Sequence, residues 1–239
     1  KALLTIVAFI LGSGIAFAQA STTDGQSIEP TAEPTARILA IGDSLMAWHS
    51  IAGRAIPDII AEELEEPTEN RSIGGARMIF NVPFIGGAGM QISHQVIEGD
   101  WDWVVMNGGG NDLWFGCGCG ACDKKLDALI TEGGDEGEIP RVINDLRDSG
   151  AKVLFFGYLR SPGVDSLIEE CKDEGDELES RVSSFAKSTK GVYFLSNTDL
   201  VTDGDLSFHG FDRIHPSLKG SEEIGKRIAA LIRKYDRKR

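Results

Sequence analysis

Five short stretches of the chain read as strands: ARILAIG (36–42), NRSIGG (70–75), DWVVMNGG (102–109), AKVLFFGYL (151–159) and GVYFLSN (191–197). Three of them carry continuous apolar runs rather than alternation, the pattern of strands covered on both faces in a parallel sheet. Helical periodicity fills the intervals. Ile56, Ile59, Ile60 and Leu64 fall on one face of residues 50–66, and Ile139, Val142, Ile143 and Leu146 on one face of 138–150, which stops at Gly150. Leu178, Val182 and Phe185 recur along 176–188. Ile224, Ile228, Leu231, Ile232 and Tyr235 recur along 217–238, whose basic end suits a helix C-terminus. The β–α alternation predicts an α/β fold, a three-layer α/β/α sandwich on a parallel sheet. Ligands of such sheets bind at the carboxyl ends of the strands, so the loops that follow strands are the places to look for chemistry.

The first twenty residues break this pattern. Lys1, the apolar run ALLTIVAFILGSGIAFA and the small-x-small site Ala16-Phe17-Ala18 read as a secretory signal peptide over 1–20, cleaved near Ala18 or Ala20. Its uninterrupted apolar part is too short to span a bilayer comfortably. Residues 21–35 are polar, Pro-containing and aperiodic, and read as a disordered linker. The folded domain is expected over 36–239, in an exported protein, periplasmic or secreted.

Composition narrows the partners. With 26% charged and 41% hydrophobic residues, the chain is an ordinary globular mix, and 239 residues are enough for one domain. A net charge of −13 repels phosphate backbones, which argues against nucleic acid and against anionic membrane surfaces. Nothing in the sequence calls for more than a monomer. The four cysteines, Cys117, Cys119, Cys122 and Cys171, suggest two disulfides in an exported chain. Three pairings are open, with Cys117–Cys119 the least favoured because its ring is so tight. A bond from Cys171 to the Cys117–Cys122 cluster would tie two loops together at one sheet edge. The rival is a four-thiolate zinc site, which export disfavours.

Candidate chemistry sits at the strand ends. The first strand stops on Gly42-Asp43-Ser44; a serine hydroxyl there is a nucleophile only beside a base. Gly74-Gly75 end the second strand, which Asn70 begins, and can offer a backbone N–H to a close ligand. Gly108-Gly109-Gly110 precede Asn111, whose amide can donate to a developing oxyanion; the bland alternative is an Asn-Asp helix cap. Asp212 and His215 lie three apart just before the last helix, a spacing at which the carboxylate can reach the imidazole Nδ1–H and leave Nε2 free. Each motif alone is weak. His49 reads as a helix-start residue, His94 has no acid near it in a suitable loop, and His209 reads as a loop histidine.

Taken together and in order, these blocks resemble the SGNH (GDSL-like) hydrolase superfamily. Gly42-Asp43-Ser44-Leu45 resembles its first block, and Gly75, five residues after Asn70, its second. Gly109-Gly110-Asn111-Asp112 and Asp212-x-x-His215 resemble its Gly-x-Asn-Asp and Asp-x-x-His blocks. The resemblance covers about residues 36–235. It implies a flavodoxin-like five-stranded sheet of order 2-1-3-4-5 and metal-free hydrolysis of esters or thioesters. It further implies an attacking Ser44, a His215 base oriented by Asp212, and an oxyanion hole from the Ser44 and Gly75 N–H groups with the Asn111 amide. No cofactor and no metal are expected. Asp43 and Asp112 are read as structural.

Around this site, Trp48, Trp114 and Phe115 are candidate pocket walls, with core packing as the competing reading. Arg160 could meet an anionic substrate group, although a solvated arginine is the better reading. The resulting expectation is an exported serine hydrolase acting on carboxylic esters of small molecules or glycans. Acyl transfer to a cell-surface glycan is the alternative within enzymology. A non-catalytic glycan-binding module is disfavoured because the four motif residues are all present. A flavodoxin-like cofactor binder is disfavoured because no Gly-x-Gly-x-x-Gly follows the first strand.

Overall fold

The structure is a computed structural model, and it describes residues 35–80, 86–163 and 166–236. The expected signal peptide (1–20) and almost all of the linker (21–35) lie outside the described residues. Five strands, β1 (Ile38–Ile41), β2 (Thr68–Asn70), β3 (Trp103–Met106), β4 (Lys152–Phe156) and β5 (Val192–Leu195), form one parallel sheet of order β2-β1-β3-β4-β5. This is the flavodoxin-like order implied by the resemblance. Among the described residues, seven α-helices connect and cover it: α1 (Ser44–Ala47), α2 (Ile56–Leu64), α3 (Gly110–Cys117), α4 (Asp123–Leu129), α5 (Glu138–Asp148), α6 (Lys172–Ser188) and α7 (Leu218–Tyr235).

The continuous apolar runs are explained by two cores that share the sheet. Side chains alternate across a strand. Leu39, Ile41, Val104, Met106, Val153 and Phe155 therefore face the layer built by α4, α5 and α6. Ile38, Ala40, Trp103, Val105, Leu154 and Phe156 face α2 and α7. The periodic faces of α2, α5 and α6 are buried where expected, as are Ile224, Ile228 and Ile232 of α7, while Tyr235 is exposed at its end. Helices α2 and α7 approach closely because position 225 is a glycine: a Cβ there would lie 2.6 Å from Ile59 Cβ.

One expectation needs correction. The second strand ends at Asn70 instead of beginning there. The Asn70 carboxamide accepts from the Ser72 N–H (3.1 Å) and hydroxyl (2.6 Å), a local turn that competes with strand pairing.

All four cysteines are in disulfides. Cys117–Cys122 closes a short ring, and Cys119–Cys171 joins the turn after α3 to the start of α6. The second bond is the loop-to-loop tie expected of Cys171, and the thiolates are not left for zinc. At the opposite, N-terminal edge of the sheet, Arg37 just before β1 pairs with Glu66 (2.9 Å), Asp236 (3.2 Å) and Asp102. No helix among the described residues is long and apolar enough to cross a membrane.

Candidate active site

The nucleophile candidate is positioned by the turn that ends β1. Gly42 is required there by crowding: a Cβ would lie 1.9 Å from Asn107 Oδ1. Its backbone is gripped on both sides by buried Gln95, whose Oε1 accepts from Gly42 N–H (2.7 Å) and whose Nε2 donates to Gly42 C=O (2.9 Å). Asp43 caps α1, with Oδ1 accepting from Leu45 N–H (3.0 Å). The same carboxylate accepts from Asn107 Nδ2 (2.7 Å) and from the Tyr158 hydroxyl. Burial pushes the Asp43 carboxyl up from its ordinary range, and the three hydrogen bonds oppose that push. Ser44 follows as the first residue of α1, half-buried at the carboxyl end of β1. As expected, Asp43 is structural in its contacts.

Beside Ser44 runs the loop after β2. Gly74 lies against it, a Cβ there falling 3.9 Å from Ser44 Cβ, and Gly75 adopts φ +79° in the turn closed by Ala76 N–H to Ile73 C=O (3.1 Å). Asn111 lies in the first turn of α3, and its Nδ2 donates to Ala76 C=O (3.0 Å), tying α3 to this loop. Asp112, almost fully buried, accepts from Met78 and Ile79 N–H groups (both 2.9 Å). Burial outweighs those two bonds and lifts its carboxyl to about 6. The helix-cap alternative for Asn111 and Asp112 therefore does not hold: the capping position is Gly109, and both side chains reach across to the Gly75 loop.

The base candidate comes from the loop before α7. Asp212 Oδ2 lies 2.6 Å from His215 Nδ1, while Oδ1 accepts from the Ile214 and His215 N–H groups (both 3.0 Å). Arg213 between them takes the left-handed conformation, φ +59°, which lets the loop fold back on itself. Partial burial pushes the Asp212 carboxyl up, but the hydrogen bonds from the His215 ring and from the His215 and Ile214 amides outweigh it and hold it below its ordinary range. The carboxylate is the form that accepts from Nδ1–H, which leaves Nε2 as the acceptor.

Ser44, Gly75, Asn111 and His215 all line one cavity of about 760 Å³. Among the described residues no hydrogen bond joins the Ser44 hydroxyl to His215. Trp48, Trp114, Phe115 and Arg160 also line the cavity. Trp114 and Phe115 stack on each other with centroids 4.6 Å apart, and Phe115 is more than half exposed. Ile168, Leu178, Val201 and Cys171 extend the apolar wall. Arg160 departs from both earlier readings: it is neither solvated nor free for an anion, because Asp176 (2.6 Å) and Glu179 (2.9 Å) of α6 hold it.

Several contributors escape a sequence reading. Tyr158 joins the two halves of the site, its hydroxyl donating to Asp43 and accepting from Gly110 N–H (2.9 Å). Burial and Asp43 both raise its pKa, so it stays a donor. Asn107 and Gln95 are the other two. Nothing in their spacing marks them, since they act across strands far apart in sequence. His49, read as a helix-start residue, caps a 3-10 turn, and its Nε2 lies 3.0 Å from Pro216 C=O. His94 is exposed and outside the cavity wall, and His209 is a buried loop histidine whose ring burial disfavours its charge.

Residues 40–222 match the model of the GDSL-like lipase/acylhydrolase family. No curated protein sequence matches the chain. Among solved structures, a lipase/acylhydrolase from Enterococcus faecalis is similar at 18% identity, covering 84% of this chain and 96% of that one, with a TM-score of 0.57. A carbohydrate acetylesterase from Sinorhizobium meliloti shares 18% identity over 84% of this chain and 99% of its own, with a TM-score of 0.52. A family two carbohydrate esterase from Clostridium thermocellum, solved with cellohexaose, shares 16% over 84% of this chain and 65% of its own, with a TM-score of 0.56. At such identities the likeness carries the fold alone.

Proposed function

Because the chain belongs to the GDSL-like lipase/acylhydrolase family, we propose that it is an exported serine hydrolase that cleaves carboxylic esters through an acyl-enzyme on Ser44. The observation that carries this reading is the convergence of Ser44, Gly75, Asn111 and His215 on one cavity, with Asp212 fixed on His215 Nδ1. Ser44 Oγ attacks the ester carbonyl as its proton passes to His215 Nε2. Asp212 keeps Nδ1 protonated and stabilises the imidazolium. The negative charge that develops on the carbonyl oxygen is met by the N–H groups of Ser44 and Gly75 and by the second Nδ2 hydrogen of Asn111. Collapse expels the alcohol, which takes the proton from His215. Water, deprotonated by the same imidazole, then releases the acid and restores Ser44.

The apolar wall from Trp114 to Leu178 and Val201 favours an acyl group longer than acetyl. A second reading, transfer of an acyl group to a glycan hydroxyl, is favoured by the stacked Trp114–Phe115 pair, a surface on which a sugar ring can lie. In both readings residues 1–20 are a leader removed near Ala18 or Ala20, ahead of a working domain over 36–239.

The test is hydrolysis of p-nitrophenyl acetate, butyrate and octanoate by residues 21–239, beside Ser44→Ala. The variant is expected to fall by about 10⁶, to background, with the parent preferring the longer esters. A parent inactive on every ester yet active with a glycan acceptor supports transfer instead. A Ser44→Ala variant as active as the parent overturns the assignment of the nucleophile.

A further inference from the structure

The four-residue helix that presents Ser44 also carries, one turn on, the group that covers the imidazole. Trp48 lies at the C-terminal end of α1, and its backbone N–H donates to the carbonyl of Ser44 itself (2.9 Å). Its indole lies flat on His215, with ring centroids 3.8 Å apart and planes only 5° from parallel. The next residue, His49, reaches the next residue of the facing loop, its Nε2 3.0 Å from Pro216 C=O. Two consecutive residues thus grip two consecutive residues, one through a ring face and one through a hydrogen bond.

We infer that Trp48, assisted by His49, is a positioning residue for the base: it fixes the plane of His215 and sets its distance from Ser44. The inference rests on the Ser44–His215 reading above. Asp212 holds the imidazole by one edge, at Nδ1, and an edge contact alone leaves the ring free to pivot about that bond. A flat surface pressed on its face removes the pivot, so that Nε2 keeps its aim at the nucleophile. The π face also carries negative charge density, which attracts the imidazolium formed as Ser44 gives up its proton. Because Ser44 and Trp48 sit on the same rigid turn, the spacing between nucleophile and base is set by one helical turn instead of by the long chain path between residues 44 and 215.

Trp48 also lines the cavity, so the competing role is a substrate wall, and the two roles divide kcat from KM. On p-nitrophenyl butyrate, Trp48→Leu is expected to lower kcat about tenfold with KM within about twofold of the parent, and Trp48→Phe to restore most of the loss. His49→Ala is expected to lower kcat by a smaller factor. A Trp48→Leu variant with kcat unchanged, or with its whole loss in KM, overturns the inference. A second readout is independent of catalysis. An imidazole stacked on indole quenches its emission, so His215→Ala brightens the parent but not a Trp48→Phe background. Equal brightening in both, or none in either, overturns the stack. If Ser44→Ala remains active while that emission signature is present, the catalytic reading fails and the stacked pair stands.

Discussion

The turn after β1 and the loop before α7 deliver the two side chains proposed to react, Ser44 and His215, and they are built differently. The first is rooted in the sheet. Gly42 and Asp43 are buried and receive bonds from Gln95, Asn107 and Tyr158, which come from three separate parts of the chain. The second is a surface loop held mostly by itself, with Asp212 bonding to residues two and three positions on. From outside, Trp48 lies on His215, His49 reaches Pro216 and the Ser166 hydroxyl donates to Arg213 C=O (3.0 Å). A nucleophile needs a fixed origin, whereas a base must hand a proton from one partner to another. On the proposed roles, this contrast predicts that the first side contributes chiefly to folding and the second chiefly to reaction.

That division can be broken experimentally. The largest effect is expected from Asp212→Asn, which lowers kcat by about 10⁴ because the imidazole loses its orienting anion, while the melting temperature stays near that of the parent. A large fall in melting temperature instead would place Asp212 among the folding residues. Next, Asp43→Ala leaves Asn107 Nδ2, the Tyr158 hydroxyl and Leu45 N–H without their acceptor, and is expected to cost about 3 kcal/mol in urea unfolding. A loss below about 1 kcal/mol would show that the rooted side is not the stabilising one.

The smallest effect is the pH dependence of stability. Burial raises the Asp112 carboxyl from 3.8 to about 6 and the Glu179 carboxyl from 4.5 to about 6. Between those values the native state holds protons that the unfolded chain has released. Stability therefore falls as pH rises from about 4 through 6, by less than about 3 kcal/mol for Asp112, and levels off above about 7. Calorimetry from pH 4.5 to 7.5 should show the fall, and Asp112→Asn should remove the Asp112 share and leave that of Glu179. A flat parent profile would mean that these carboxylates ionise as they do in the unfolded chain.

Hydrophobic pattern was enough to read the layers, because a strand apolar at every position has no polar face to expose. Ile38–Ile41 and Trp103–Met106 are such strands, and both lie inside the sheet. Motif spacing brings Ser44, Asn111, Asp212 and His215 forward as candidates, because each falls where a strand hands over to a loop or a loop to a helix, and the fold gathers Ser44, Asn111 and His215 on one cavity with Asp212 against His215. β2 was misplaced because its residues, Thr68, Glu69 and Asn70, are polar and half-buried at the sheet edge, so no apolar run marks them. Tyr158, Asn107 and Gln95 went unread because their roles exist only between elements. Arg160 reads as solvated in the sequence because its actual partners lie on α6, sixteen and nineteen residues away.

The clasp of Arg37 with Asp236 has a practical meaning of another kind. It brings the entry to the first strand and the exit from the last helix side by side, on the edge of the sheet away from Ser44 and His215. The protein can therefore be anchored to a bead, fused to a second module or circularly permuted through that edge, with its mouth still turned toward the solution.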